Sequence, residues 1–143
     1  MRRWHSERGF TMLEMTVVIV IATILIALSY TSWQGYTAQQ RLRFGAMQVA
    51  TDLREAEERA KAERAQYTIM FTGSSSGYRI QRTSGGFTEN ASLPTGVSPQ
   101  ASDTVTFTPF GQPDAAHTVT LQNAAGTRTA SIDTVGGITY QGP

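Results

Sequence analysis

The chain has no cysteine. Disulfides, thiolate metal sites and a cysteine nucleophile are therefore excluded. An oxidising compartment is not, because a domain of roughly 100 residues can bury enough core to do without a covalent staple. Proline is absent before Pro94, and between residues 10 and 65 only Gly35 and Gly45 weaken a helix. Neither sign of charge dominates, with 12 basic residues against 11 acidic ones in 143. That balance gives no general affinity for nucleic acid. Its distribution is uneven: Arg2, Arg3 and Arg8 against Glu7 give residues 1–9 a charge of +2, so residues 10–143 carry −1 of the total +1.

What is abundant is one apolar run. From Phe10 to Tyr30, 16 of 21 residues are apolar or aromatic, the exceptions being Thr11, Glu14, Thr16, Thr23 and Ser29. A helix of this length crosses a bilayer. Val17-Val18-Ile19-Val20-Ile21 is β-branched and favours a strand in water. In lipid a lone segment must satisfy its own backbone hydrogen bonds, so helix is expected. Arg2, Arg3 and Arg8 lie closer to the run than Arg41 and Arg43 do, which favours a cytoplasmic N-terminus and an external C-terminal domain. Trp33, with Tyr30 or Tyr36, suits an interfacial aromatic belt or packing between helices.

Four zones follow: a charged leader over 1–9, an apolar span over 10–30, an amphipathic helix over 31–66 and a β domain over 67–143. Leu42, Ala46, Val49, Leu53, Ala56 and Ala60 recur at steps of 4 and 3 and trace one helix face, widened by Met47 and Ala50. Glu55 and Arg59 form an i,i+4 pair in the favourable order. One nearly continuous helix from about Phe10 to Ala65, about 84 Å long, is expected. Beyond Gln66 the period becomes two. Strands are expected at Tyr67–Thr72, Tyr78–Arg82, Thr104–Phe110, His117–Gln122, Thr127–Ile132 and Ile138–Tyr140. Residues 73–77 and 123–126 read as turns, and residues 83–103 as a long loop. The fold class is α+β: a long N-terminal helix whose Leu42–Ala60 stripe covers an antiparallel β domain.

No catalytic constellation is visible, and no cofactor is implied. His5 lies in the leader, and His117 reads as a surface residue rather than a metal ligand. Glu89, Asp103, Asp114 and Asp133 are scattered, leaving nothing that argues for a metal or calcium site. Ser74-Ser75-Ser76 reads as a flexible turn with no activating partner. The glycines match no phosphate-binding spacing. Arg79, Arg82 and Arg128 would form a small DNA-contacting patch if their strands were neighbours; a solvated strand face is the favoured reading.

The informative string is Arg8-Gly9-Phe10-Thr11-Met12-Leu13-Glu14, running straight into the apolar span. A small residue closes a short basic leader, a bulky apolar residue follows, and a carboxylate stands where charge is costly. Packed in an assembly, Glu14 needs a cation; a free α-amine on Phe10 of a neighbouring subunit would serve. An ordinary signal peptide cut near Ala27-Leu28-Ser29, or a plain single-span anchor, explains the apolar length but not Gly9 and Glu14 together.

Residues 8–30 resemble the class III signal of type IV pilins and type II secretion pseudopilins. The resemblance implies a pilin-like fold, cleavage by a prepilin peptidase after Gly9, N-methylation of Phe10, and recruitment into a filament through Glu14. The implied partners are the peptidase, other pilins or pseudopilins, an assembly platform in the inner membrane, and membrane lipid before assembly. Downstream, Val49–Ala56, Val105–Gly111 and Thr127–Tyr140 resemble motifs of the GspH/FimT group of minor pilins and pseudopilins. The span lacks the proline, and the chain the C-terminal disulfide, that major pilins often carry. Some FimT-like minor pilins bind DNA through arginines near the C-terminus. The matching turn here, Gly136-Gly137-Ile138-Thr139-Tyr140, has none, so a DNA receptor or adhesin at a filament tip is the alternative and not the favoured function.

Overall fold

The computed structural model describes residues 10–141, with the backbone alone for residues 30–32. The leader, and with it the expected cleavage residue Gly9, lies outside the described residues. The chain divides into two compact units, one ending at Gly35 and the other beginning at Tyr36. Helix α1, Met12–Glu63, contributes to both.

In the first unit α1 has no core of its own. Every residue from Phe10 to Ser29 is exposed, as expected of a segment whose solvent is lipid or another helix. Its hydroxyls are turned back onto the helix. Thr16 donates to the Leu13 carbonyl (2.7 Å), Thr23 to those of Ile19 and Val20 (2.7 and 2.9 Å), and Ser29 to that of Leu25 (2.8 Å). Such back-bonding lets a polar side chain face hydrocarbon without a lost hydrogen bond.

In the second unit the expected stripe forms the floor of the core: Leu42, Ala46, Val49, Ala50, Leu53, Ala56 and Ala60 are all buried. Met47 does not belong to it and is 37% exposed. Gly45, a weakness by propensity, has a packing reason. A Cβ there would stand 3.2 Å from the Val97 side chain and 3.5 Å from Leu121 and Pro94, so the bare backbone lets helix and sheet approach closely. The helix stops two residues before the expected end. Arg64 takes a left-handed φ of 49°, and the Ala65 N–H bonds back to the Ala60 carbonyl at 3.2 Å. This is the Schellman termination, here without its usual glycine.

Two four-stranded antiparallel sheets complete the core. The first has the order β3-β2-β1-β5, with β1 at Tyr67–Phe71, β2 at Gly77–Arg82, β3 at Thr88–Ser92 and β5 at Asp103–Phe107. The second has the order β4-β6-β7-β8, with β4 at Ser98–Pro99, β6 at His117–Asn123, β7 at Gly126–Ile132 and β8 at Ile138–Tyr140. Alternation sends Tyr67, Ile69 and Phe71 of β1, Val105 and Phe107 of β5, and Val119 and Leu121 of β6 inward. The Tyr67 hydroxyl is buried without a hydrogen-bond partner among the described residues.

Three sequence expectations need correction. Residues 83–103 are not a single loop: they hold β3 and β4 and supply Leu93 and Val97 to the core. The strand expected to reach Phe110 ends at Phe107. Thr108 and Gly111 then close a turn through a 2.8 Å Gly111 N–H to Thr108 carbonyl bond, and Phe110 is left 74% exposed. The serine turn between β1 and β2 is not loose. Ser74 donates from its backbone to the Pro99 carbonyl (2.8 Å), and the Gly73 N–H to the Ser102 hydroxyl (2.9 Å).

Candidate functional site

Helix α1 begins with Thr11 as its N-cap. The Thr11 hydroxyl accepts from the Glu14 backbone N–H at 3.2 Å, and its carbonyl accepts from the Met15 N–H at 3.2 Å. The spacing Thr-x-x-Glu is that of a capping box, whose first half is present. Thr11 was not singled out from sequence, although this spacing signals a helix start. Capping places the Glu14 carboxylate in the first turn, where the helix dipole contributes about 0.3–1 kcal/mol in its favour. The Glu14 side chain has no hydrogen-bond or ion-pair partner among the described residues, while the hydroxyls of Thr16, Thr23 and Ser29 are satisfied. Phe10, just before the cap, is 74% exposed. Among the described residues, the site is thus a greasy helix with one unmatched carboxylate next to its start.

The β unit contains two polar clusters that fix its architecture. Tyr78 on β2 donates its hydroxyl to the Asp52 carboxylate on α1, and Gln48 bonds both the Tyr78 hydroxyl (3.3 Å) and the Ser92 carbonyl (3.0 Å). Burial pushes the Asp52 carboxyl above its ordinary range; the Tyr78 hydrogen bond and Arg59 oppose this, and Glu55 and Glu89 add to it. Burial, and then Asp52, push the Tyr78 hydroxyl far up, so it stays a donor. A carboxyl raised by folding stabilises fully below its unfolded value, about 3.9, and that contribution is lost as pH rises through the folded value. Asp52→Asn should therefore gain stability relative to the wild type as pH climbs through that window, then plateau. Urea denaturation of the detergent-solubilised chain at several pH values measures the difference; a difference that falls with pH would contradict the burial effect.

His117, read from sequence as a surface residue, needs correction as well. Its ring is largely covered, with 14% of the side chain exposed, and Nδ1 lies 3.1 Å from the Asp103 carboxylate while Nε2 lies 3.2 Å from Asp114. Since Asp103 is on β5 and His117 on β6, the ring ties the two sheets together. Burial would raise Asp114, but the Thr106 backbone N–H and His117 outweigh it and hold that carboxyl below its ordinary value. No group of three or more residues suited to holding a metal ion occurs among the described residues.

The arginines do not meet. Arg79 and Arg82 lie on β2, whereas Arg128 lies on β7 of the other sheet, so the condition for a shared basic patch is not fulfilled. Arg82 is engaged by Glu63 (3.2 Å) and the Gly85 carbonyl (2.7 Å), and Arg128 reaches the Gln141 carbonyl (3.4 Å). Arg79 bonds Asn90 across the strand pair at 3.2 Å.

Residues 4–30 match the family described as the prokaryotic N-terminal methylation motif. Two crystal structures of the type IV minor pilin FimU of Pseudomonas aeruginosa strain PAO1 resemble the fold. The form in space group P21 superposes with a TM-score of 0.57 at 16% identity, over 72% of this chain and 90% of that one. The form in P65 gives 0.53 at 17%, over 71% and 93%. No curated protein sequence matches the chain. The matched motif covers residues 4–30, and the likeness to the FimU structures is one of fold, a pilin-like α+β arrangement. The chain's N-terminal helix is long and apolar enough to cross a membrane, and the matched motif is one of N-terminal methylation.

Proposed function

We infer that the chain is the precursor of a minor pilin or pseudopilin of the GspH/FimT kind, cut after Gly9 and N-methylated on Phe10. One observation carries this reading: an exposed helix whose hydroxyls are satisfied internally keeps a carboxylate, Glu14, that has no partner among the described residues, four residues after the expected new N-terminus. The span rests in the inner membrane until an assembly platform extracts it. Apolar burial between helices then replaces lipid contact, and Glu14 sets axial register by pairing with the methylated amine of a neighbouring subunit. Repeated heterologous interfaces that do not close build a filament. The alternative, a tip subunit that binds DNA, gains no support from arginines divided between two sheets.

Intact mass and N-terminal sequencing of the protein from native membranes test the processing step. The expected mature chain begins at methylated Phe10; a start near Tyr30, or an uncut chain, would overturn the reading. Glu14→Leu separates processing from assembly. Cleavage should persist, while recovery in sheared filaments drops about tenfold or more, equivalent to roughly 1.4 kcal/mol of lost pairing. Undiminished incorporation of Glu14→Leu would remove the pairing role.

A further inference from the structure

The outer face of the first sheet carries an open depression of about 380 Å³ where the β1–β2 turn meets β3. Among the residues that line it are Met70, Thr72, Ser76, Arg79, Asn90 and Ser92. The walls are held from behind. Besides the two bonds that fix Gly73 and Ser74, the Leu93 N–H donates to the Ser76 carbonyl at 2.8 Å. A site held in this way needs little ordering on binding.

Its chemistry is selective. Arg79 spends its Nε–H on Asn90 Oδ1, which orients the guanidinium and leaves the two terminal nitrogens available. No carboxylate pairs with Arg79 among the described residues, and no acidic residue lines the depression. Glu89, the nearest acid in sequence on β3, lies across the strand pair from buried Ile80 and is drawn to Arg59 at 3.7 Å. The hydroxyls of Thr72, Ser76 and Ser92 make no hydrogen bond among the described residues. Met70, 40% exposed, adds a small apolar surface. One fixed cation, three available hydroxyls, an amide and a thioether complement a ligand with one negative charge, several hydroxyls and a weakly apolar ring face. A guanidinium takes a carboxylate by two parallel hydrogen bonds. Nucleic acid would call for several cations along a track and an aromatic platform; here there is one cation, and Tyr78 is buried with its ring against Phe71.

We propose that this depression is a binding site for a carboxylated sugar, a hexuronate unit of an acidic polysaccharide, with Arg79 holding the carboxylate and the surrounding hydroxyls and Asn90 reading the ring. The site belongs to the β unit, so it stands or falls independently of how the N-terminus is processed. The test is an NMR titration of the full chain in a sugar-free detergent with tetragalacturonate, maltotetraose and oligothymidylate as probes. Tetragalacturonate should cause saturable shifts at residues 70–79 and 90–92, and maltotetraose should bind at least about tenfold more weakly. Arg79→Gln should weaken tetragalacturonate binding by a similar factor, while Arg128→Gln on the other sheet leaves it unchanged. No saturable shift, equal binding by Arg79→Gln, or tighter binding of oligothymidylate at the same residues would each overturn the proposal.

Discussion

Leu53→Ala is expected to cost the β unit about 2–5 kcal/mol, the range for removing a buried leucine whose cavity cannot collapse. Leu53 is fully buried in the middle of the α1 stripe. Its neighbours on that stripe, Val49, Ala50 and Ala56, are small or stiff, and none can reach across to fill the space. On the far side stand the strand residues of two sheets, whose positions are fixed by backbone pairing. For a domain of this size the loss is a large part of a total stability of about 5–15 kcal/mol. The urea midpoint should fall with little change in slope. Met47→Ala, on the same helix but part-exposed, should stay within about 0.5 kcal/mol. A loss below about 1 kcal/mol for Leu53→Ala would mean that the helix is not what seals the core.

Gly77→Ala is the second large effect, and it arises from backbone approach. A Cβ on Gly77 would stand 2.4 Å from the Ala91 carbonyl oxygen. That atom is main chain, held in the β2–β3 pairing in which Gly77 lies opposite Ser92, so it cannot swing aside. The strands must part at this end, at a cost of about 1–3 kcal/mol. Amide exchange should speed up in β3 while β6 and β7 keep their protection. Because Ser92 and Asn90 move with β3, binding at the Arg79 depression should weaken as well. Unchanged exchange in β3 would show that the edge strand yields more cheaply than this geometry allows.

The elements that were legible in sequence share a cause: they bury one face at a fixed period. Leu42 through Ala60 repeats at the helical period, and every member is buried. Tyr67, Ile69 and Phe71, or Val119 and Leu121, alternate, and their strands lie where alternation placed them to within a few residues. The missed strand β3 reads Thr-Glu-Asn-Ala-Ser and contributes no fully buried side chain. A polar edge strand is held by backbone bonds to β2, which leave no mark in side-chain pattern. The strand expected to run to Phe110 stops at Phe107, because Pro109 and Gly111 turn the chain there. The serine turn looked loose because its restraints come from residues 99 and 102, remote in sequence. Thr11 was legible in principle, since its cap is made with residues three and four positions away.

The sequence by itself determined the character of the N-terminal segment. A run with that many apolar side chains must satisfy its backbone internally wherever water is scarce, and the order Gly9, Phe10, Glu14 is fixed by the covalent chain. It also determined which face of the second half of α1 turns inward, because that depends on spacing alone. Only the tertiary structure decided that the strands divide into two sheets, and hence that Arg128 is separated from Arg79 and Arg82. Only it joined Asp52 to Tyr78, and His117 to both Asp103 and Asp114. These meetings depend on which strands pair and in what register. Pairing is chosen by the summed burial of the whole core rather than by any local run of residues.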